Sequence, residues 1–431
     1  MGKGGRVLAV AFLTLAGTTM TAGAGTALPR PTPARPAWTG TWEAAPSGTA
    51  SALPGAAIRN VVHLSVGGRV LRVHLSNRFG SAPLTLGAVT VALRSVGGPD
   101  AVPGSLRTAT FHGARTVTVP PGRDLVTDPV PLAVPDAADL LVTVATPTAS
   151  GPATYHRTAL QTGYIAPDGD DAATAENGSA YTATTGHWYY VTGVDVRGPA
   201  PGSVIALGDS LTDGTGTTPD TNSRWPDRLA ARLRLLSPPR RPGVLNAGIA
   251  GNRLLRDGTG PSALSRLDAD ALSRAGVRVL IVLEGINDII KGSPRPGDVH
   301  AFEDAYRTIV ARAHARGIRV VGATLTPYGG HGAFTAAREA VRRQVNTFIR
   351  AGGAFDAVAD FDAAVRDPVR PQRIRPAYDS GDHLHFNDAG ARALAGTVGL
   401  AALARWTVSP TPRPAAPPRP GGRAEDRSAR P

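Results

Sequence analysis

A chain of 431 residues with 42% hydrophobic content is long enough to bury two full cores and has the composition of a globular protein. Cysteine is absent, which excludes disulfides, thiolate metal sites and cysteine nucleophiles. Of the net charge of +13, Lys3 and Arg6 carry two and the segment from Ser409 carries three, leaving +8 on the body. No Lys/Arg run interleaved with aromatics accompanies that charge, so a nucleic acid partner is not expected.

The chain opens on an export signal, residues 1–27. Lys3 and Arg6 form a basic start, Val7 to Ala16 an apolar stretch, and Ala22-Gly23-Ala24 a small-residue cleavage site. No later apolar stretch is long enough for a membrane span. A secreted protein without cysteine points to a bacterial source. Residues 28–37 are a Pro-rich linker.

Residues 38–198 read as all-β. Val61 to Val66 and Val70 to Leu75 alternate apolar and polar side chains around Gly67-Gly68, the pattern of a hairpin. Further strands are expected at Leu86 to Leu93, Thr116 to Val119, Leu125 to Leu132, Leu140 to Ala145 and Tyr189 to Val196. Gly, Pro and Asp separate them at short intervals, which predicts a β-sandwich or jelly roll. Trp38, Trp42, Trp188, Tyr189 and Tyr190 have two readings here, as core or as platforms for sugar rings of a polysaccharide.

After the Pro/Gly hinge 199–202 the period changes. Strands at Ser203–Leu207, Val244–Ala247, Val277–Leu283, Arg319–Leu325 and Ala357–Phe361 alternate with helices. The helices are expected from Pro226, over Phe302–Ala315, over Thr335–Arg350 and from Asn387 to about Trp406. Alternation of this kind makes residues 199–408 a doubly wound parallel α/β sheet. The Pro/Arg-rich tail 409–431 is expected to be disordered.

Four loops after these strands carry unusual polar residues, and the doubly wound rule gathers such loops at the carboxyl edge of the sheet. They hold Asp209-Ser210, Asn246 to Asn252, Glu284 to Asp288 and Asp382 to His385. Serine is a weak nucleophile at neutral pH unless a base takes its proton. His385 can do so, and Asp382, three residues earlier, can orient the imidazole. The N–H groups of Ser210 and Gly251 and the Asn287 side chain can serve a developing oxyanion. Other readings stand beside these. Gly248 can replace Gly251 as donor, Asn287 can cap a helix, and His383 with His385 can bind a metal. Asp209 can hydrogen-bond its own loop or pair with Asp382 as glycosidase carboxylates.

Gly208-Asp-Ser-Leu, the second-loop glycine, Gly285-Ile-Asn-Asp288 and Asp382-His-Leu-His385 together resemble the four blocks of the SGNH (GDSL) hydrolases. The resemblance covers Ser203 to Trp406. It implies a flavodoxin-like sheet and a cofactor-free serine esterase with nucleophile Ser210, oxyanion donors Ser210, Gly251 and Asn287, and the Asp382–His385 pair. The layout and the Glu284–Ile289 string are similar to secreted actinobacterial members related to esterases of xylan-degrading systems. That implies acyl esters of carbohydrates, acetyl esters above all, as substrates. The family also spans lipid and lysophospholipid esters, and acyl transfer uses the same intermediate. An inactive carbohydrate- or envelope-binding protein is the reading from another class. Phe386 stands where many relatives have proline, and a change in the acyl pocket is expected from it.

Overall fold

The computed structural model describes residues 1–2, 38–292 and 298–408. The export signal from Lys3, the linker 28–37 and the tail 409–431 therefore lie outside the described residues. The β-half is a sandwich of two antiparallel sheets. One runs Thr39–Glu43, Val191–Arg197, Gly68–Ser76, Val130–Val134, with Asp124–Val126 also on Gly68–Ser76. The other runs Ala183–Thr185, Gly163–Ala166, Ala56–His63, Asp139–Thr146, Val89–Leu93, Arg107–Ala109. Alternation sends Leu71, Val73 and Leu75 inward from the first sheet against Ile58, Val62, Val142 and Val144 of the second.

The expected hairpin does not form. Ala56–His63 pairs with Asp139–Thr146 and Gly163–Ala166, whereas Gly68–Ser76 lies in the opposite sheet. Residues 64–67 cross between the sheets, with Leu64 and Val66 buried in the common core. Thr41 holds this crossing through its hydroxyl, 2.6 Å from Val66 O and 3.0 Å from Val66 N. A Cβ on Gly67 would sit 2.3 Å from Val134 O, so this glycine serves close packing and not a tight turn. Period-two alternation is the same in a hairpin and in a crossover, and only the tertiary partners distinguish them.

The expected strand Tyr189–Val196 is also divided. Tyr190, at φ 61°, breaks it into Trp188–Tyr189, in a small third sheet with Ala153–His156 and Gly48–Ala50, and Val191–Arg197 in the sandwich. Trp42, Trp188, Tyr189 and Tyr190 are all buried, which makes them core and removes them as sugar platforms. Trp188 meets Trp42 edge-on at 5.0 Å, and its indole N–H donates to Val61 O at 2.8 Å. Trp38 packs under the guanidinium of Arg197, 4.2 Å from its ring.

The second half is the flavodoxin-like sheet. Its parallel strands lie in the order Gly243–Gly248, Ser203–Gly208, Val277–Leu283, Arg319–Ala323, Ala357–Ala359. Numbered along the chain this is 2-1-3-4-5, with the direction of winding reversing between the first and third strands. The helix Trp225–Leu233 takes Pro226 in its first turn, and Ala336–Ala351 starts at a Thr335 cap and ends at Gly352. Val299–His314 is the helix expected over Phe302–Ala315. The last expected helix is two, Asp388–Thr397 and Leu400–Val408, broken at an extended Val398. Gly396 and Gly399 weaken this stretch, and the Arg232 guanidinium takes the Val398 carbonyl at 3.0 Å. Among the described residues no helix is long and apolar enough to cross a membrane.

The halves pack as one compact unit. Gly243–Gly248 is an edge strand, and the β-half covers it: Ala44 bridges to Asn246, Val244 N donates to Ser65 Oγ at 2.9 Å, and Ser203 Oγ donates to Gly40 O at 3.0 Å. Arg78 of the β-half joins Asp270 at 2.5 Å, and Glu43 joins Arg274 at 2.6 Å. The approach is so close that a Cβ on Gly243 would lie 2.0 Å from Gly40 O. Gly243→Val should therefore push the halves apart and lower stability by about 2 kcal/mol or more, read as a lower thermal midpoint.

Candidate active site

Strand Ser203–Gly208 is buried from end to end. At its close, a Cβ on Gly208 would meet Thr212 Oγ1 at 2.2 Å and Leu283 O at 2.5 Å, so the turn into the next helix admits only glycine. Asp209 caps the short helix Ser210–Asp213, accepting from Leu211 N at 2.9 Å. Ser210 is the first residue of that helix, so its N–H has no acceptor within it.

The fourth loop comes back over this turn. His385 Nε2 lies 2.8 Å from Ser210 Oγ, and its Nδ1 lies 2.5 Å from Asp382 Oδ2. The other oxygen of Asp382 accepts from the backbone N–H of His385 at 2.8 Å and of Leu384 at 3.0 Å. Burial pushes the Asp382 carboxyl up, but the His385 ring and these backbone donors outweigh it and hold its pKa well below the usual carboxylate range. Gly216 supports the loop from behind. At φ 92°, it brings its backbone so close that a Cβ would lie 3.2 Å from His385 Cβ.

His383 is not a partner of His385. It sits at φ 64° with Nδ1 2.6 Å from Asp379 Oδ2, and Asp379 also accepts from the N–H of Gly381 at 2.8 Å. Among the described residues no cluster of three or more His, Cys, Asp or Glu is placed to hold a metal ion. Phe386 is buried in the core with Leu211, Trp225 and Leu384.

In the second loop Gly251 stands at φ 82°, a conformation few other residues adopt. Its carbonyl accepts from Lys291 Nζ at 2.9 Å, while the neighbouring Ala250 N donates to Asp213 Oδ2 at 2.8 Å. Gly248, the alternative donor, has its N–H engaged by Asn246 Oδ1 at 2.9 Å. Asn287 lies inside helix Ile286–Lys291, whose cap is Gly285, so it is not the capping residue. Its Nδ2 donates to Asp209 Oδ2 at 3.2 Å, which leaves the amide a second N–H.

Sequence reasoning missed what stands behind Asn287. Asp209 and Glu284 are both buried and hydrogen-bonded to each other, and Glu284 Oε2 also accepts from Gly285 N at 2.9 Å. Two carboxyls in contact without water cannot both ionise. Burial raises both pKa values, Glu284 the further because it also faces the Asp209 charge, so Glu284 holds the proton and Asp209 the charge that orients Asn287. Full burial also removes Asp209 as a glycosidase carboxylate. The available signal was an acidic residue directly after the apolar run Val277–Leu283.

This site lies at the carboxyl edge of a 2-1-3-4-5 sheet, where the winding reverses, and the sequence agrees with the position. Residues 206–393 match the model of the GDSL-like Lipase/Acylhydrolase family. That match supports a carboxylic ester hydrolase activity of the GDSL type for this part of the chain. The chain matches no curated protein sequence. Among solved structures it is similar to a putative lipolytic protein of the G-D-S-L family from Desulfitobacterium hafniense, at 21% identity and TM-score 0.36, covering 47% of this chain and 98% of that one. An aryl esterase of M. smegmatis is similar at 18% identity and TM-score 0.35, covering 47% and 96%. A carbohydrate acetylesterase from Sinorhizobium meliloti is similar at 17% identity and TM-score 0.36, covering 47% and 97%.

The carboxyl pair makes a testable distinction. Glu284→Gln keeps a donor toward Asp209 and should hold kcat within about threefold. Glu284→Ala leaves Asp209 without that donor and should lower kcat about tenfold and stability by about 2 kcal/mol, measured by ester turnover and melting.

Proposed function

We propose that the protein is a secreted bacterial serine esterase that removes small acyl groups, acetyl above all, from carbohydrates by way of an acyl-enzyme. The observation that carries this reading is the unbroken line of hydrogen bonds Asp382–His385–Ser210, at 2.5 and 2.8 Å. In the first half-reaction Ser210 Oγ bonds to the acyl carbon while its proton passes to His385 Nε2. Asp382, held ionised, stabilises the imidazolium through Nδ1–H. The carbonyl oxygen takes up the negative charge and receives hydrogen bonds from the N–H groups of Ser210 and Gly251 and from Asn287 Nδ2. On collapse the alcohol leaves with the proton from Nε2. Water then repeats the sequence on the acyl-enzyme, with His385 as its base, and releases the acid and free Ser210.

Two features favour a small acyl group on a hydrophilic alcohol. The side chains nearest Gly251 and behind His385 are Lys291, Thr259 and Ser380, all polar. Among the described residues the large exposed apolar side chains, such as Val96, Leu235 and Val369, lie outside loops 209–216, 249–262, 284–291 and 379–387. A lipid-directed site needs an apolar track at its mouth. Export rests on the basic, apolar and small-residue succession of residues 1–27.

Ser210→Ala should reduce turnover of p-nitrophenyl acetate by about 10⁴-fold or more, and full retention would sink the mechanism. Asp382→Asn should lower kcat by about 10⁴ and Asn287→Ala by about 10²–10³. Across p-nitrophenyl esters of rising chain length, kcat/KM should peak at acetyl, and acetate should be released from acetylated xylan. A maximum at long chains would transfer the protein to the lipid esterases.

A further inference from the structure

The two halves of the chain meet at the loop that carries Gly251, where Arg157 donates to Ala250 O at 3.4 Å and a buried histidine makes a second connection. His156 closes strand Ala153–His156 of the β-half and is buried. Its Nδ1 lies 2.7 Å from Ala45 O, and its Nε2 lies 3.0 Å from Asp213 Oδ1 and 3.3 Å from Thr158 O. Every one of these partners accepts hydrogen bonds, so both ring nitrogens must donate and the ring is an imidazolium. The second oxygen of Asp213 accepts from Ala250 N, the residue before Gly251, at 2.8 Å. Asp213 also ends the helix that Ser210 begins. One carboxylate thus joins the helix of Ser210 to the loop of Gly251, and its counter-charge comes from the other half of the chain.

The histidine is itself held firmly. Its ring lies 5.4 Å from that of Trp188, which is anchored in the sandwich core, and Arg224 packs over Trp188 at 5.5 Å. The charged and titratable groups around the same seam are Asp213, Arg224, Asp227, Glu43, His63 and Arg157. Burial disfavours the imidazolium and Arg224 opposes it, but Asp213 and the Ala45 carbonyl outweigh both, and its pKa is raised.

We propose that His156 is a positioning residue of the esterase, through which the β-domain fixes Asp213 and so aims the Gly251 N–H at the oxyanion. The proposal rests on the reading of Gly251 as an oxyanion donor. It gives the β-half a part in catalysis that requires no contact with substrate. A group acting this way improves binding of the tetrahedral species and leaves ground-state binding alone.

The test uses the full chain and p-nitrophenyl acetate, with a small alkylboronic acid as a mimic of the tetrahedral adduct on Ser210. His156→Phe keeps the ring against Trp188 and removes both donors. It should lower kcat about 10- to 100-fold, less than the 10²–10³ cost of losing an oxyanion donor outright, with KM within about twofold. Inhibition by the boronic acid should weaken in the same proportion. His156→Gln restores an uncharged donor and should recover part of the loss. As pH rises through the raised pKa of His156, the imidazolium is lost, so wild-type kcat should fall on the alkaline side. That fall should be absent in His156→Gln. Wild-type kcat and boronic acid affinity in His156→Phe would overturn the proposal. If that variant does not fold, persistence of the same alkaline fall in His156→Gln overturns it. An active Ser210→Ala control would instead overturn the serine mechanism, so the two failures are distinct.

Discussion

Gly208 has no space for a side chain, and much of the site follows from that. Strand Ser203–Gly208 lies between two parallel neighbours, and the chain leaves it in van der Waals contact with Leu283 O and Thr212. The close approach forces the turn that makes Asp209 a cap and Ser210 the first residue of a helix. Because the sheet reverses its winding at this strand, the loops after its two neighbours must open on opposite sides of the same point. Gly251 arrives from one and Asn287 from the other, with Ser210 between them.

Around that point the polar groups are arranged in layers. Asp382, His385 and Ser210 form the outer layer, and the carboxylate there is held ionised by the imidazole and by backbone donors. Beneath it, Asp209 and Glu284 share one proton out of contact with water and orient Asn287. Arg266 is buried deeper. It donates to Gly208 O at 2.9 Å, to Ala247 O at 2.7 Å and to Asn252 Oδ1 at 3.0 Å, tying the ends of both strands to the loop of Gly251. Buried charges of this kind cost desolvation free energy unless fully partnered. The partners of Arg266 are two strand-end carbonyls and the Asn252 side chain, which fix the edge of the sheet at the site.

The β-sandwich extends this arrangement. It covers the open edge of the parallel sheet with Ala44, Ser65 and Gly40, places Arg78 and Glu43 against Asp270 and Arg274, and reaches Asp213 with His156. The seam between the halves is thus populated by ionisable groups, and it reaches the residue before Gly251, where Arg157 donates to Ala250 O at 3.4 Å.

The sequence by itself determined the elements whose cause is local. The apolar run and Gly208 define the strand before Ser210, the Thr335 cap and Gly352 delimit a helix, and the three-residue offset from Asp382 selects His385. Period and spacing carry that information because each depends on residues a few positions apart. Only the tertiary structure decided matters settled by distant partners. The alternating stretch around Gly67 became a crossover because Leu64 and Val66 enter a core shared by both sheets. Trp42 and Trp188 became core because each covers the other. Glu284 became the protonated partner of Asp209 because folding removes both from water, and His156 reached Asp213 across 57 positions of chain. Burial and charge pairing act through space, and a linear pattern does not record which distant groups will share a low-dielectric site.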